Sequence, residues 1–99
     1  MAPVDLAAFE ASLTSSTPPE DLPPLLLALW HDGRGDWDPA HRVAQDVAGE
    51  DAAWVHAYLH RKEGDQSNAG YWYRIARRPP SREPLPHEWR ALVTALLSR

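Results

Sequence analysis

The chain has 99 residues, of which 43% are hydrophobic and 24% charged, with five tryptophans and no cysteine. This length and composition predict one globular domain with a single modest core, residues 1–99. The lack of cysteine excludes disulfides, a thiolate metal site and a cysteine nucleophile. The longest apolar run, LLLALW, has six residues, far fewer than the ~20 that a membrane-spanning helix needs. Because the first ten residues also lack the pattern of a secretory signal, we expect a cytoplasmic protein without membrane contact.

The net charge of −4 is divided unevenly along the chain. Residues 1–50 carry nine acidic and two basic side chains, whereas residues 51–99 carry five acidic and eight basic ones. Such an asymmetry can orient a partner or a second copy of the chain. Two solvated faces of opposite charge would produce the same pattern.

The helical spacing of apolar residues predicts six helices and no strand. The first spans about residues 4–14, begins near Pro3 or Asp5, and precedes a connector rich in Ser, Thr and Pro. The second begins at residues 22–24, where Asp21 can cap it, and ends at Gly33. Its apolar residues cover nearly the whole circumference, which predicts a central, buried helix. The third helix begins after an aspartate at position 36 or 38 and ends at Gly49.

The remaining three helices are predicted from the same apolar spacing and from capping and terminating residues. The fourth begins at Asp51 and ends at Gly64, and the last runs from about residue 86 to 97. Between them, the fifth begins at Asp65 or Ser67 and ends at two prolines. Its predicted inward face consists of Ala69, Trp72, Tyr73, Ile75 and Ala76.

Residues 25–48 and 54–77 match each other at an offset of 29 residues. The matched positions are Ala28 and Ala57, His31 and His60, Gly35-Asp36 and Gly64-Asp65, and Ala40 and Ala69. Each unit is predicted to be a helical hairpin with a Gly-Asp break, and neither could bury its apolar face alone.

These hairpins resemble the tetratricopeptide-repeat family and its Sel1-like relatives. The segment GDWDPA, residues 35–40, is similar to the family's turn into its second helix, and the second unit keeps Gly64, Asp65, Ala69, Tyr73, Ala76 and Pro79. Residues 54–76 are also similar to a group of small bacterial proteins of unassigned activity. The period of 29 departs from the family's period of about 34, and His31 and His60 stand where an aromatic residue is usual.

The resemblance implies an all-α fold, a short right-handed stack of two helical hairpins with an N-terminal and a C-terminal capping helix. It also implies a module that binds a protein or a peptide. Several arginines lie on the fifth helix or close to it in the sequence. Because arginine binds carboxylates in a bidentate manner, they fit a carboxylate-bearing partner or a second copy of the chain. The predicted partner-binding residues are Arg61, Arg74, Arg77, Arg78 and Tyr71. A sequence pI near 5.6 disfavours nucleic acid, and the same arginines could instead form a solvated outer face.

A second hypothesis concerns His56, His60 and Glu63, which are spaced i, i+4 and i+7 on one stripe of the fourth helix. Two histidines at this spacing can bind a divalent metal, and a carboxylate could complete a site for metal binding or hydrolysis. The pattern is not HExxH, because no acidic residue between the histidines could act as a base. The alternative is that His31 and His60 pack as half-buried aromatic residues of the repeat, hydrogen-bonded to an aspartate or to the backbone. No catalytic residue and no cofactor is predicted, and an enzyme is the less favoured interpretation.

Overall fold

The structure, a computed structural model, describes residues 5–99, and these residues form six helices and no strand. The helices are α1 (Leu6–Ser12), α2 (Pro24–Gly33), α3 (Trp37–Gln45), α4 (Glu50–Lys62), α5 (Gln66–Ala76) and α6 (Leu85–Leu97). The predicted all-α fold class is therefore confirmed. Residues 3 and 4, proposed as part of the first helix or its cap, lie outside the described range. Within residues 5–99, no helix is long and apolar enough to cross a membrane.

Side-chain caps fix two of the helix starts. Asp5 accepts a hydrogen bond from the Ala8 amide at 2.8 Å, and Asp65 accepts one from the Asn68 amide at 3.1 Å. Each carboxylate satisfies a backbone donor that the first turn leaves free. The predicted cap at Asp21 is wrong, because α2 follows Pro23 directly and has no side-chain cap. The predicted end of α3 at Gly49 is also wrong, since α3 ends at Gln45 and Gly49 precedes α4.

The two Gly-Asp breaks have the same backbone geometry. Gly35 has a φ of +86° and Gly64 a φ of +89°. In each turn, the amide of the following aspartate donates to the carbonyl five residues earlier, His31 or His60, at 2.9 Å. A left-handed glycine with this bond satisfies a free carbonyl at the end of the preceding helix. The relation of these hairpins to the tetratricopeptide family stays a prediction.

Helix α4 lies at the centre of the fold. All nine residues from 52 to 60 are buried, and the helix contacts α2, α3, α5 and α6. The prediction that α2 is buried all round is wrong, because Leu25 and Leu27 are only partly buried. Helices α2 and α3 form one close pair, α4 and α5 form the other, and α6 packs against α1, α2 and α4.

The inward face of α5 is narrower than predicted. Ala69, Tyr73 and Ala76 are buried and Trp72 is partly buried, whereas Ile75 is 42% exposed. At about 100° per residue, the three buried positions share one stripe and Ile75 lies about 130° around the helix from its centre. The inward placement of Ile75 was therefore wrong, and the helix presents an apolar side chain to solvent.

Candidate functional site: a histidine cluster between α3 and α4

Three histidines meet where α3 packs against α4. His41 comes from α3, while His56 and His60 lie one turn apart on α4, and one ring nitrogen from each falls within 4.8 Å of the others. Ala40 and Ala44 are fully buried on α3. Because these side chains are small, the two helices can approach closely enough for the imidazoles to meet.

Two indole rings enclose the cluster. Trp37 stacks on His41 with ring centroids 4.8 Å apart and planes inclined by 10°, and Trp72 stacks on His56 at 4.3 Å and 16°. The Trp37 indole is held in place because its Nε1 donates to the Leu59 carbonyl at 2.8 Å. The imidazoles therefore lie in apolar surroundings, with His56 and His60 buried and His41 half-buried.

Burial lowers the pKa of His56, and the charge of the neighbouring His41 lowers it further. A hydrogen bond with the Ala44 backbone raises the same pKa. Burial likewise lowers the pKa of His41, with a second contribution from His60, against the opposing charges of Glu63 and Asp38. A lowered pKa favours neutral imidazole. Neutral imidazole keeps a lone pair available, which is the form that binds a metal ion.

The orientation of His60 is set by a carboxylate. Its Nδ1 lies 2.7 Å from Oε1 of Glu63, and this contact is partly buried. The Asn68 amide nitrogen is 3.4 Å from both ring nitrogens of His60, so it is aligned with the lone pair of neither. A neutral imidazole that donates Nδ1–H to a carboxylate carries its lone pair on Nε2. Histidines that bind metals are typically oriented by a carboxylate in this way.

His56 carries the unexplained polar atom of the site. Its side chain is 5% exposed, and its Nδ1 has no hydrogen-bond partner. A buried polar atom without a partner costs about 1–3 kcal/mol, and such atoms are uncommon in folded proteins. A ligand that accepts the lone pair of this nitrogen would remove the cost.

The three nitrogens are close enough to be compared with the ligands of a metal ion. They lie within 4.8 Å of one another, and bonds of about 2.0 Å to a tetrahedral ion hold ligand nitrogens roughly 3.3 Å apart. His41 is the half-buried member and lies on the short helix α3. Its side chain is therefore the least enclosed of the three.

The structure brings two of the three predicted metal ligands together with a third histidine. His56 and His60 lie beside His41, whereas Glu63 contacts Nδ1 of His60. A second group, His60, Glu63 and Asp65, also has ligand atoms within 4.8 Å. Its Asp65, however, is occupied in capping α5. Spacing along one helix could not identify His41, because only tertiary packing brings it to α4.

The structure places the predicted partner-binding residues in different surroundings. Arg61 is directed inward, with its Nε donating to buried Glu88 at 3.0 Å and its Nη2 to the Glu83 carbonyl at 2.7 Å. The Arg78 guanidinium lies 3.4 Å from the centre of the Trp54 ring, and Arg77 pairs with Glu50 at 3.4 Å. The two remaining residues, Arg74 and Tyr71, are exposed on α5.

Comparisons with protein-family models, with curated proteins and with solved structures found no match to this chain. The interpretation of the site therefore rests on its own geometry.

Proposed function

We propose that this protein binds a divalent transition-metal ion through His41, His56 and His60, with Glu63 orienting His60 from outside the coordination sphere. The single observation that carries the proposal is the buried, unpartnered Nδ1 of His56 beside two further imidazoles. An ion at this point would accept a lone pair that otherwise has no partner. The Glu63–His60 contact supports the same proposal, because it leaves Nε2 free to face the ion.

The donor set narrows the choice of ion. Three imidazole nitrogens suit Zn²⁺, Cu²⁺ or Ni²⁺, whereas Mg²⁺ and Ca²⁺ prefer oxygen ligands. Cysteine is absent from the sequence, which removes the thiolates that favour monovalent copper and iron–sulfur clusters. Zinc is the first ion to test, since it accepts three histidines in tetrahedral geometry.

The test is a zinc titration of chelator-treated, tag-free protein by calorimetry. We expect one zinc per chain, and we expect His41→Ala, His56→Ala and His60→Ala each to weaken binding at least about tenfold. The matched control is His87→Ala, because His87 is exposed on α6 and lies outside the cluster. Failure of the parent protein to bind zinc, or unchanged binding in all three cluster variants, would overturn the proposal.

A further variant separates the role of Glu63 from that of a ligand. Glu63→Gln keeps the shape of the side chain and removes its charge, so we expect zinc binding to weaken by about 10–100-fold while the stoichiometry stays at one. Equal affinity of Glu63→Gln and the parent would show that the carboxylate does not support His60.

We also propose a second candidate function, a tetratricopeptide-like module that binds an acidic protein segment on the outer face of α5. It is favoured by Tyr71 and Ile75, which are 50% and 42% exposed and lie one turn apart beside Arg74. Large apolar side chains next to a cation fit a partner that carries both apolar groups and carboxylates. The acidic residues 1–50 of a second copy would meet this description.

Sedimentation velocity over a range of protein concentrations tests the self-association form of this candidate. We expect a dimer that dissociates in the variant Tyr71→Ser/Ile75→Ser and persists in the control Thr94→Ala, which changes an exposed residue of α6. A monomer at all concentrations, together with equal recovery of bound proteins by parent and variant from a lysate, would overturn this candidate.

A further inference from the structure

If the proposed metal binding holds, the number of ligands in the histidine cluster determines whether the ion keeps a position open for another ligand. Among residues 5–99, the group around His56 supplies three ligand atoms, all of them imidazole nitrogens. Glu63 is held at Nδ1 of His60, and Asp65 is held at the start of α5. Structural zinc sites use four protein ligands, whereas sites with three protein ligands keep one position for an exogenous ligand.

The charge of the site selects the class of that ligand. Three neutral imidazoles leave both positive charges of the ion uncompensated in its coordination sphere, and Glu63 contributes its negative charge only from outside that sphere. The stacked indoles of Trp37 and Trp72 exclude water from two sides of the cluster. In such surroundings a charge is screened weakly, so an anionic fourth ligand gains more than a neutral one.

The rings at the cluster differ in exposure. His56 and His60 are buried, whereas His41, Trp37 and Trp72 are partly exposed. The Tyr71 ring, half exposed on α5, lies 5.3 Å from the Trp72 ring, which stacks on His56. The partly exposed rings therefore mark the side of the cluster that lies nearest to solvent.

We infer that the fourth coordination position binds a carboxylate oxygen, supplied either by a small organic acid or by the carboxylate of a peptide. In this step the bond from the ion to a water molecule breaks, the bond from the ion to the carboxylate oxygen forms, and the water molecule leaves; no oxidation state changes. The cationic ion discriminates against the corresponding amide, which has nearly the same shape but carries no charge.

Cobalt provides the test, since Co²⁺ occupies zinc sites and its visible absorption reports the number and type of ligands. Cobalt-loaded protein is titrated with acetate and, as a matched neutral probe, with acetamide. We expect acetate to shift the visible bands and acetamide to leave them unchanged. A second pair, acetyl-glycyl-glycine and its C-terminal amide, separates the two sources. A shift at lower concentration with the peptide acid than with acetate indicates a peptide, and an equal or higher concentration indicates a small acid.

The outcomes distinguish this inference from the function on which it rests. Cobalt that does not bind overturns the proposed metal site itself. Bound cobalt whose spectrum ignores both carboxylates, or responds equally to acetamide, overturns only the carboxylate inference. A response that appears in Glu63→Gln but not in the parent would also overturn it, because Glu63 would then occupy the fourth position.

Discussion

Two glycines test the local geometry at the scale of single residues. Gly64 has a φ of +89°, and a Cβ atom built there meets no atom within 4 Å. The cost of a side chain at this position is therefore backbone strain alone. We expect Gly64→Val to lower the free energy of unfolding by about 1–2 kcal/mol, measured by urea denaturation. Gly35→Val should do the same, because Gly35 has a φ of +86° and equally open surroundings.

The matched control for these variants is Gly70→Ala. Gly70 lies inside α5, and a Cβ atom there also meets nothing within 4 Å. Because glycine is unfavourable inside a helix, alanine should raise the free energy of unfolding by about 0.5–1 kcal/mol. Equal effects of Gly64→Val and Gly70→Ala would show that the left-handed conformation of Gly64 is not what the sequence selects.

Two of the three histidines in the candidate site could be predicted from the sequence. His56 and His60 share one face of α4 because helical geometry makes residues i and i+4 neighbours. His41 could not be found in this way, since its distance from α4 depends on how closely α3 packs. The repeat assigned His31 to the same position as His60, but His31 packs against the edge of Trp30 and stays outside the cluster. Equivalent positions in the repeat thus carry different chemistry.

At the scale of elements, α4 is joined to its neighbours by two buried carboxylates. On one side, Asp32 of α2 accepts from the Tyr58 hydroxyl at 2.7 Å and pairs with Lys62 at 2.9 Å. On the other side, Glu88 of α6 accepts from Trp54 and pairs with Arg61 at 3.0 Å. These bonds could not be predicted from the sequence, because acidic residues such as Asp32 and Glu88 are typical of the exposed faces of amphipathic helices.

This arrangement also explains why apolar patterning overestimated the burial of α2. The apolar residues of α2 cover nearly its whole circumference, yet α4 is the more completely buried helix. It buries its small residues together with Trp54, Tyr58, His56 and His60. The polar atoms of Trp54 and Tyr58 can be buried because each donates a hydrogen bond to a carboxylate. Counting apolar side chains therefore underestimates the burial of a helix whose polar groups have partners. Helix type was predictable from periodicity, whereas helix burial required knowledge of these partners.

Substitution of Glu88 tests whether the buried carboxylates hold α4 against its neighbours. Its carboxylate accepts hydrogen bonds from Trp54, from Tyr73 at 2.6 Å and from Arg61 at 3.0 Å. Glu88→Ala would leave the Arg61 charge half-buried without its partner, so we expect a loss of about 3–5 kcal/mol in urea denaturation. Glu83→Ala is the control, because its carboxylate is exposed and only its backbone carbonyl contacts Arg61. Losses of similar size in both variants would contradict this account.

At the scale of the whole molecule, one ion pair joins the start of α4 to the last residue of the sequence. Arg99 Nε donates to Asp51 Oδ2 at 3.0 Å, and Nη2 donates to Oδ1 at 3.1 Å. Chiefly through these hydrogen bonds, Arg99 holds the pKa of Asp51 below its usual value of 3.8. A depressed carboxyl pKa adds stability above the unfolded-state pKa, and this stability is lost as the pH falls through the folded-state pKa.

The corresponding prediction compares the parent protein with Asp51→Asn over a range of pH. We expect the parent to have the higher free energy of unfolding at pH 7 and the difference to shrink as the pH falls below 3.8, the usual pKa of this carboxyl, and through its lowered value in the folded state. Urea denaturation at several pH values measures this difference, and Arg99→Ala should remove most of it at pH 7. A difference that stays constant from pH 7 to pH 2 would show that Asp51 does not titrate through its contact with Arg99.

Metal binding should stabilise the whole fold, because the ion would join α3 to α4. Helix α3 buries only Ala40 and Ala44 fully and packs chiefly against α2, so the added bonds would restrain its contact with α4. At a free zinc concentration of about 100 times the Kd, binding adds about 2.7 kcal/mol. For a domain of this size, that raises the melting temperature by about 10–20 °C, measured by circular dichroism with zinc or with chelator. His87→Ala should keep this increase and His41→Ala should lose it. An equal increase in both variants would mean that zinc binds without joining the two helices.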